Sequence, residues 1–155
     1  MTVALVYDSV FGNTAEIARA IARGLEAGGR AVTLLPVAEL HDFDAAGYEL
    51  IVAGSPTRGF APTPSIEEFV AGLPKGTGPV AAFDTRLDLD AINPAPLRWV
   101  VNAGGYAASR IGDALKRKGY ALREPNGDFK VSGTEGPLMD GEIERAEAWG
   151  KGLAS

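Results

Sequence analysis

Val3-Ala4-Leu5-Val6-Tyr7 runs directly into Asp8-Ser9-Val10-Phe11-Gly12-Asn13-Thr14, after which Ile17, Ile21 and Leu25 recur at every fourth place. An unbroken apolar run of this length reads as a short strand buried on both faces. The fourfold recurrence reads as the apolar stripe of an amphipathic helix. A strand, a tight turn with glycine and a helix N-terminus in immediate succession aim free backbone N–H groups and the positive end of a helix dipole at one point. Such a turn suits an anion. Gly12 permits close backbone approach, Ser9, Asn13 and Thr14 are short neutral donors, and the segment holds no Lys or Arg. It lacks the Gly-Lys-Ser/Thr of nucleotide hydrolases and the Gly-x-Gly-x-x-Gly of dinucleotide-binding folds, which counts against both activities. A plain turn in which Thr14 merely caps the helix is the competing reading, and both stand at this point.

The same alternation repeats along the chain. Spans 31–35, 50–53 and 80–83 are short apolar runs, expected to be buried strands like the first. A fifth strand falls at 121–123 or at 129–131, which Pro125, Asn126 and Gly127 separate. Ile66, Phe69, Val70 and Leu73 follow helical spacing, as do Ala107, Ile111 and Leu115, and Ile143, Ala146, Trp149 or Gly150, and Leu153. Ser65 with Glu68, or Thr63 followed by Pro64, marks the start of the second helix, and Asp140 is expected to cap the last. The crossover at 37–48 is short enough for a turn or two of helix. The stretch 86–106, with Pro94, Pro96 and an apolar run at 97–101, has no clear element. Strands alternating with helices predict an α/β domain with a parallel sheet covered on both faces.

With 155 residues, 46% hydrophobic and 23% charged, the expectation is a single folded domain spanning 1–155. Cysteine is absent, so disulfides and thiolate sites are excluded. The N-terminus enters a strand with no basic leader and no run is long enough to span a bilayer, so a cytoplasmic protein without membrane insertion is expected. A net charge of −5 disfavours nucleic acid as a partner and leaves room for a basic protein. His41, the only histidine, sits in a polar loop and is read as a surface residue. Asp42 with Asp44, and Asp88 with Asp90, offer too few oxygens for a metal site.

Ser9-Val10-Phe11-Gly12-Asn13-Thr14 resembles the phosphate loop of flavodoxins, whose usual form is Ser/Thr-x-Thr-Gly-Asn-Thr; Phe11 departs from it. With Tyr7 and Asp8 included, the segment is more similar to the flavodoxin domains of flavodiiron proteins and to FMN-dependent quinone reductases of flavodoxin fold. The resemblance covers the whole chain and implies a three-layer, doubly wound, five-stranded parallel sheet in strand order 2-1-3-4-5. It implies FMN as cofactor, with its phosphate held by Ser9, Val10, Phe11, Gly12, Asn13 and Thr14. Gly54-Ser55-Pro56-Thr57-Arg58-Gly59-Phe60 and Phe83-Asp84-Thr85-Arg86 follow strands three and four. By resemblance, Pro56, Thr57, Arg58, Gly59 and Phe60 contact one side of the isoalloxazine, and Asp84, Thr85 and Arg86 face its pyrimidine edge. Phe60 is the first candidate for stacking on the ring, with Phe11, Trp99 and Tyr106 as others. Gly59 is either a turn glycine or a peptide that flips toward N5 on reduction. An Arg86 pointing inward would raise the potential for forming reduced flavin. A response-regulator receiver shares this topology, but strand three ends in Gly54-Ser55 without a phosphoacceptor Asp. The implied function is electron transfer with redox partner proteins or small electron acceptors. The alternatives are an FMN-dependent NAD(P)H:quinone or flavin reductase, and a flavodoxin-fold module without FMN.

Overall fold

The structure, a computed structural model, describes residues 2–58, 61–87 and 106–155. Strand β1, Thr2–Tyr7, lies inside the sheet and pairs in parallel with β2, Ala31–Pro36, and with β3, Tyr48–Pro56. β3 pairs in parallel with β4, Pro79–Leu87. The sequence left open which of two segments is the fifth strand; both are, end to end. β5, Ala121–Leu122, and β6, Gly127–Val131, each run parallel to β4, with Leu122 beside Val80 and Phe129 beside Thr85. Pro125 between them cannot donate to a ladder, which accounts for the break. The order β2-β1-β3-β4-β5, with β6 beside β4, reverses direction between β1 and β3.

Parallel neighbours need crossovers, and among the described residues helices α1, Asn13–Ala27, α2, Pro64–Gly72, and α3, Ala107–Arg117, lie on them, while α4, Glu142–Leu153, follows the last strand. The crossover from β2 to β3 holds two single 3-10 turns, Val37–Glu39 and Ala45–Gly47, the second capped by Asp44 accepting from the Ala46 N–H at 3.1 Å. Because alternate strand residues point to opposite faces, β1 divides its side chains between two cores. Val3 and Leu5 join Phe83 and Phe129 under the Ile17–Ile21–Leu25 stripe of α1 and Ala146 of α4. Val6, Ile51 and Val80 face the other way, against Ile66 and Val70 of α2 and Ile111 and Leu115 of α3. Each such side chain taken from water contributes about 1.5–3 kcal/mol before entropy is counted. Trp149 belongs to the first core, edge-on to Phe83 and Phe129 at 6.2 and 6.1 Å, and its indole N–H donates to the Pro125 carbonyl at 3.1 Å.

Two local expectations, for β2 and for the cap of α4, are corrected, and the open choice at the start of α2 is settled. Strand β2 is not buried on both faces: it is the outermost strand, paired only with β1, and Leu34 is exposed. Helix α2 begins at Thr63 and Pro64, not at Ser65, because proline's fixed φ suits the first helical position. Asp140 does not cap α4. Gly141, at φ 86°, takes the N-cap place with no side-chain cap bond. The expected apolar run at 97–101 and most of the stretch 86–106 lie outside the described residues, as do Gly59, Phe60, Asp88, Asp90 and Trp99.

Candidate cofactor site at the carboxyl ends of the strands

The ends of β1, β3 and β4 are stitched together just where α1 begins. The Asp8 N–H donates to the Gly54 carbonyl at 3.1 Å, and the Thr57 N–H to the Thr85 carbonyl at 2.8 Å. Gly54 has a packing reason for lacking a side chain: a Cβ there would lie 2.0 Å from the Phe83 ring. The Arg58 and Ala61 backbones exchange two hydrogen bonds, of 2.8 and 3.1 Å.

Between β1 and α1 the chain turns at Gly12, whose φ of 95° is a conformation that side chains with a Cβ rarely adopt. The Ser9 hydroxyl oxygen accepts from the Gly12 and Ala15 N–H groups, both at 3.2 Å, and so holds the turn against the first helical residues. Among the described residues, the N–H groups of Val10, Phe11, Asn13 and Thr14 have no acceptor. Four orphan donors at the positive end of a 15-residue helix form a nest for an anion. This places the donors differently from the sequence expectation. Thr14 is buried and its hydroxyl pairs with that of Thr85 at 2.8 Å, while the Asn13 amide donates to the Glu135 carbonyl at 3.0 Å. The loop offers its backbone more than its side chains.

Beside this nest lies a cleft of about 250 Å³. Val10, Phe11, Asn13 and Thr14 form one wall, Pro56, Thr57 and Arg58 a second, and Arg86 with Leu87 a third. Its volume falls below the range typical of enclosed ligand pockets, roughly 300–1,000 Å³, so an occupant would keep one part exposed. Val10 and Phe11 are exposed at its mouth, and the Arg58 guanidinium stands 5.4 Å from the centre of the Phe11 ring. A cation absent from the loop's own sequence is thus brought to it from the β3 loop. Val131 and Thr134 also line the cleft. Neither is among the residues expected at the site from sequence, and Gly133, Gly136 and Gly141 are the turn-forming residues near them.

Asp84 was expected at the edge of a bound ring, and the structure turns it inward. It is fully buried, accepting from Arg86 Nε at 2.8 Å, Arg86 Nη2 at 2.7 Å and the Ala108 N–H at 2.9 Å. Burial pushes its carboxyl above the ordinary 3.8, against the opposing pull of Arg86 and the Ala108 N–H. Arg86 faces the cleft, also reaches Asp128 at 3.5 Å, and stands over Tyr106, 3.7 Å from the ring centre. It is therefore not a lone cation. Two carboxylates offset it, and the expected rise in potential loses its basis. Tyr106 is engaged by Arg86, and Thr85 is buried against Thr14.

In open α/β sheets, of which flavodoxin is itself a standard example, ligands sit outside the carboxyl ends of strands where the order reverses. Here that crevice lies between β1 and β3, and the nest opens on it. An archaeal flavodoxin superposes with a TM-score of 0.74 at 22% identity, covering 99% of this chain and 96% of that one. The fold is flavodoxin-like. A flavodiiron protein from Giardia intestinalis matches over 99% of this chain and 35% of its own, with a TM-score of 0.72 and 21% identity. Rubredoxin oxygen:oxidoreductase from Desulfovibrio gigas matches over the same shares at 0.73 and 19%. At these identities the likeness is one of flavodoxin-like fold. A curated diflavin flavoprotein from Nostoc sp. strain PCC 7120 is 46% identical over 69 residues, which cover 41% of this chain and 12% of that protein. No protein-family model matches the chain. Among the described residues no helix is long and apolar enough to cross a membrane, and no group of three or more His, Asp or Glu side chains is placed to hold a metal ion. His41 is exposed, as expected.

Proposed function

We propose that this chain, as a single flavodoxin-like unit spanning 1–155, binds one FMN non-covalently and passes electrons between redox partners in the cytoplasm. The observation that carries the reading is the set of four N–H groups without acceptors at the mouth of α1, opening on the crevice between β1 and β3. A phosphate monoester fits that donor set, since it needs several convergent donors and gains from the helix dipole. When bound, FMN supplies the one- and two-electron chemistry of its isoalloxazine ring. The N–H groups of Val10, Phe11, Asn13 and Thr14 hold the phosphate. Pro56, Thr57 and Arg58 flank the ring, and Arg86 borders it. Ser9, Gly12 and Thr85 keep the loop in shape, and Asp84 acts through Arg86. The small, open cleft leaves a flavin edge reachable by partner proteins or small electron acceptors, as a carrier requires.

The test is direct. Purified protein should show bound-flavin absorbance and, on stepwise reduction, a one-electron-reduced species that persists. Colourless protein that refuses added FMN overturns the reading; rapid bleaching by NAD(P)H followed by reoxidation by quinone converts it into a reductase. Arg58 gives a graded check. Because it is exposed, Arg58→Ala should weaken FMN binding only about threefold at low salt, and that difference should vanish at high salt.

A further inference from the structure

Resting on the FMN reading, we infer that the hairpin at 132–139 is a fourth wall of the site and that the Thr134 hydroxyl donates to the cofactor's phosphate, making the site selective for FMN over riboflavin. The hairpin is built to hold a position. Both the N–H and the hydroxyl of Ser132 donate to the Pro137 carbonyl, at 2.9 and 3.0 Å, and the Gly136 N–H donates to the Gly133 carbonyl at 3.0 Å. Its base is closed by the Met139 N–H donating to the Lys130 carbonyl at 2.9 Å and by a bridge between Val131 and Leu138. Below it, the mostly buried Glu142 carboxylate accepts from the Lys130 N–H at 2.7 Å and pairs with Arg145.

The hairpin is also latched to the phosphate loop. Asn13 spans 122 positions of sequence to donate its amide to the Glu135 carbonyl. Gly136, at φ 100°, lies so close to that amide that a Cβ would come within 2.6 Å of it. Thr134, beside this latch, lines the same cleft as Val10, Phe11 and Asn13. Thr134 is exposed there, and its hydroxyl has no partner among the described residues. The Thr14 hydroxyl, by contrast, pairs with that of Thr85, and the Thr57 and Ser9 oxygens are held in place by accepting backbone N–H groups, at 3.1 Å from Ala107 for Thr57, while each keeps its own O–H to donate. A neutral donor beside four backbone donors suits a charged oxygen, to which a hydrogen bond is stronger than to a neutral one.

The experiment titrates flavin-free full-length protein with FMN and, separately, with riboflavin, following quenching of flavin fluorescence. Thr134→Val keeps the shape and removes the donor; its Kd for FMN should rise roughly tenfold while that for riboflavin stays within about twofold of wild type. Gly136→Ala, which strains the backbone and crowds the Asn13 latch, should give the same FMN-selective loss with Thr134 intact. If Thr134→Val shifts both flavins equally, or neither, while wild type prefers FMN, this inference is overturned and the functional reading survives. Wild type that binds neither flavin overturns both.

Discussion

Replacing Asp84 with alanine should lower the unfolding free energy by about 3–5 kcal/mol, because it strands the Arg86 guanidinium with most of its surroundings intact and its main counter-charge gone. The Arg86 side chain is 15% exposed and that of Asp84 is fully buried, so water can replace little of what is lost. The Ala108 N–H, in the first turn of α3, would also lose its acceptor. Chemical denaturation read by far-UV circular dichroism measures the loss; a change under about 1 kcal/mol would mean that the pair is solvated, contrary to the geometry. The converse variant, Arg86→Ala, has a distinct pH signature. Asp84 then keeps the burial that raises its pKa and loses the cation that restrains the rise. A carboxyl whose folded pKa stands above its unfolded value stabilises the fold fully below the unfolded pKa, and that contribution is lost as pH rises through the folded one. Arg86→Ala should therefore be clearly more stable at about pH 5 than at about pH 7, a difference steeper than in wild type. Equal stabilities at the two pH values would place the Asp84 carboxylate in contact with solvent.

Much of this was legible in the sequence, and the reasons are specific. Short apolar runs without polar alternation suit strands covered on two faces, and residues 3–7 and 50–53 read correctly. The same pattern misled at 31–35, since an edge strand and an inner one differ by neighbours that local sequence does not encode. The turn at Ser9 to Thr14 was recognisable because strand, glycine and helix start are consecutive. What each side chain does there was not. Whether Thr14 and Asn13 face an anion or fasten the loop depends on Thr85 and Glu135, at 71 and 122 positions' remove. Asp84 illustrates the same limit: a carboxylate two places before an arginine on a strand can lie on the same face and pair with it, but only the burial of that face turns the pair into a brace. Val131 and Thr134 reach the cleft through tertiary contact alone.

The alignment of the site depends in turn on how α1 is seated, and there two glycines on neighbouring helices make opposite predictions. α1 and α4 pack closely at Gly24, where a Cβ would fall 2.0 Å from the Glu147 carbonyl oxygen and 2.7 Å from the Lys151 nitrogen. These are backbone atoms of a helix, which cannot rotate aside as a side chain can. Gly24→Ala should force the helices apart and cost about 3 kcal/mol or more, at or beyond the upper end for overpacking. Gly152, near the end of α4, has no atom within 4 Å of its own added Cβ and is exposed. Gly152→Ala should leave the fold intact and stabilise it by up to about 0.5–1 kcal/mol, since alanine loses less backbone entropy in a helix. Thermal melts of the two variants beside wild type decide the matter by sign: Tm should fall for the first and rise slightly for the second. Because α1 begins at the proposed phosphate site, Gly24→Ala should weaken FMN binding as well, whereas Gly152→Ala should not. A Gly24→Ala protein with wild-type Tm would show that the close approach of the two helices is not what seats α1.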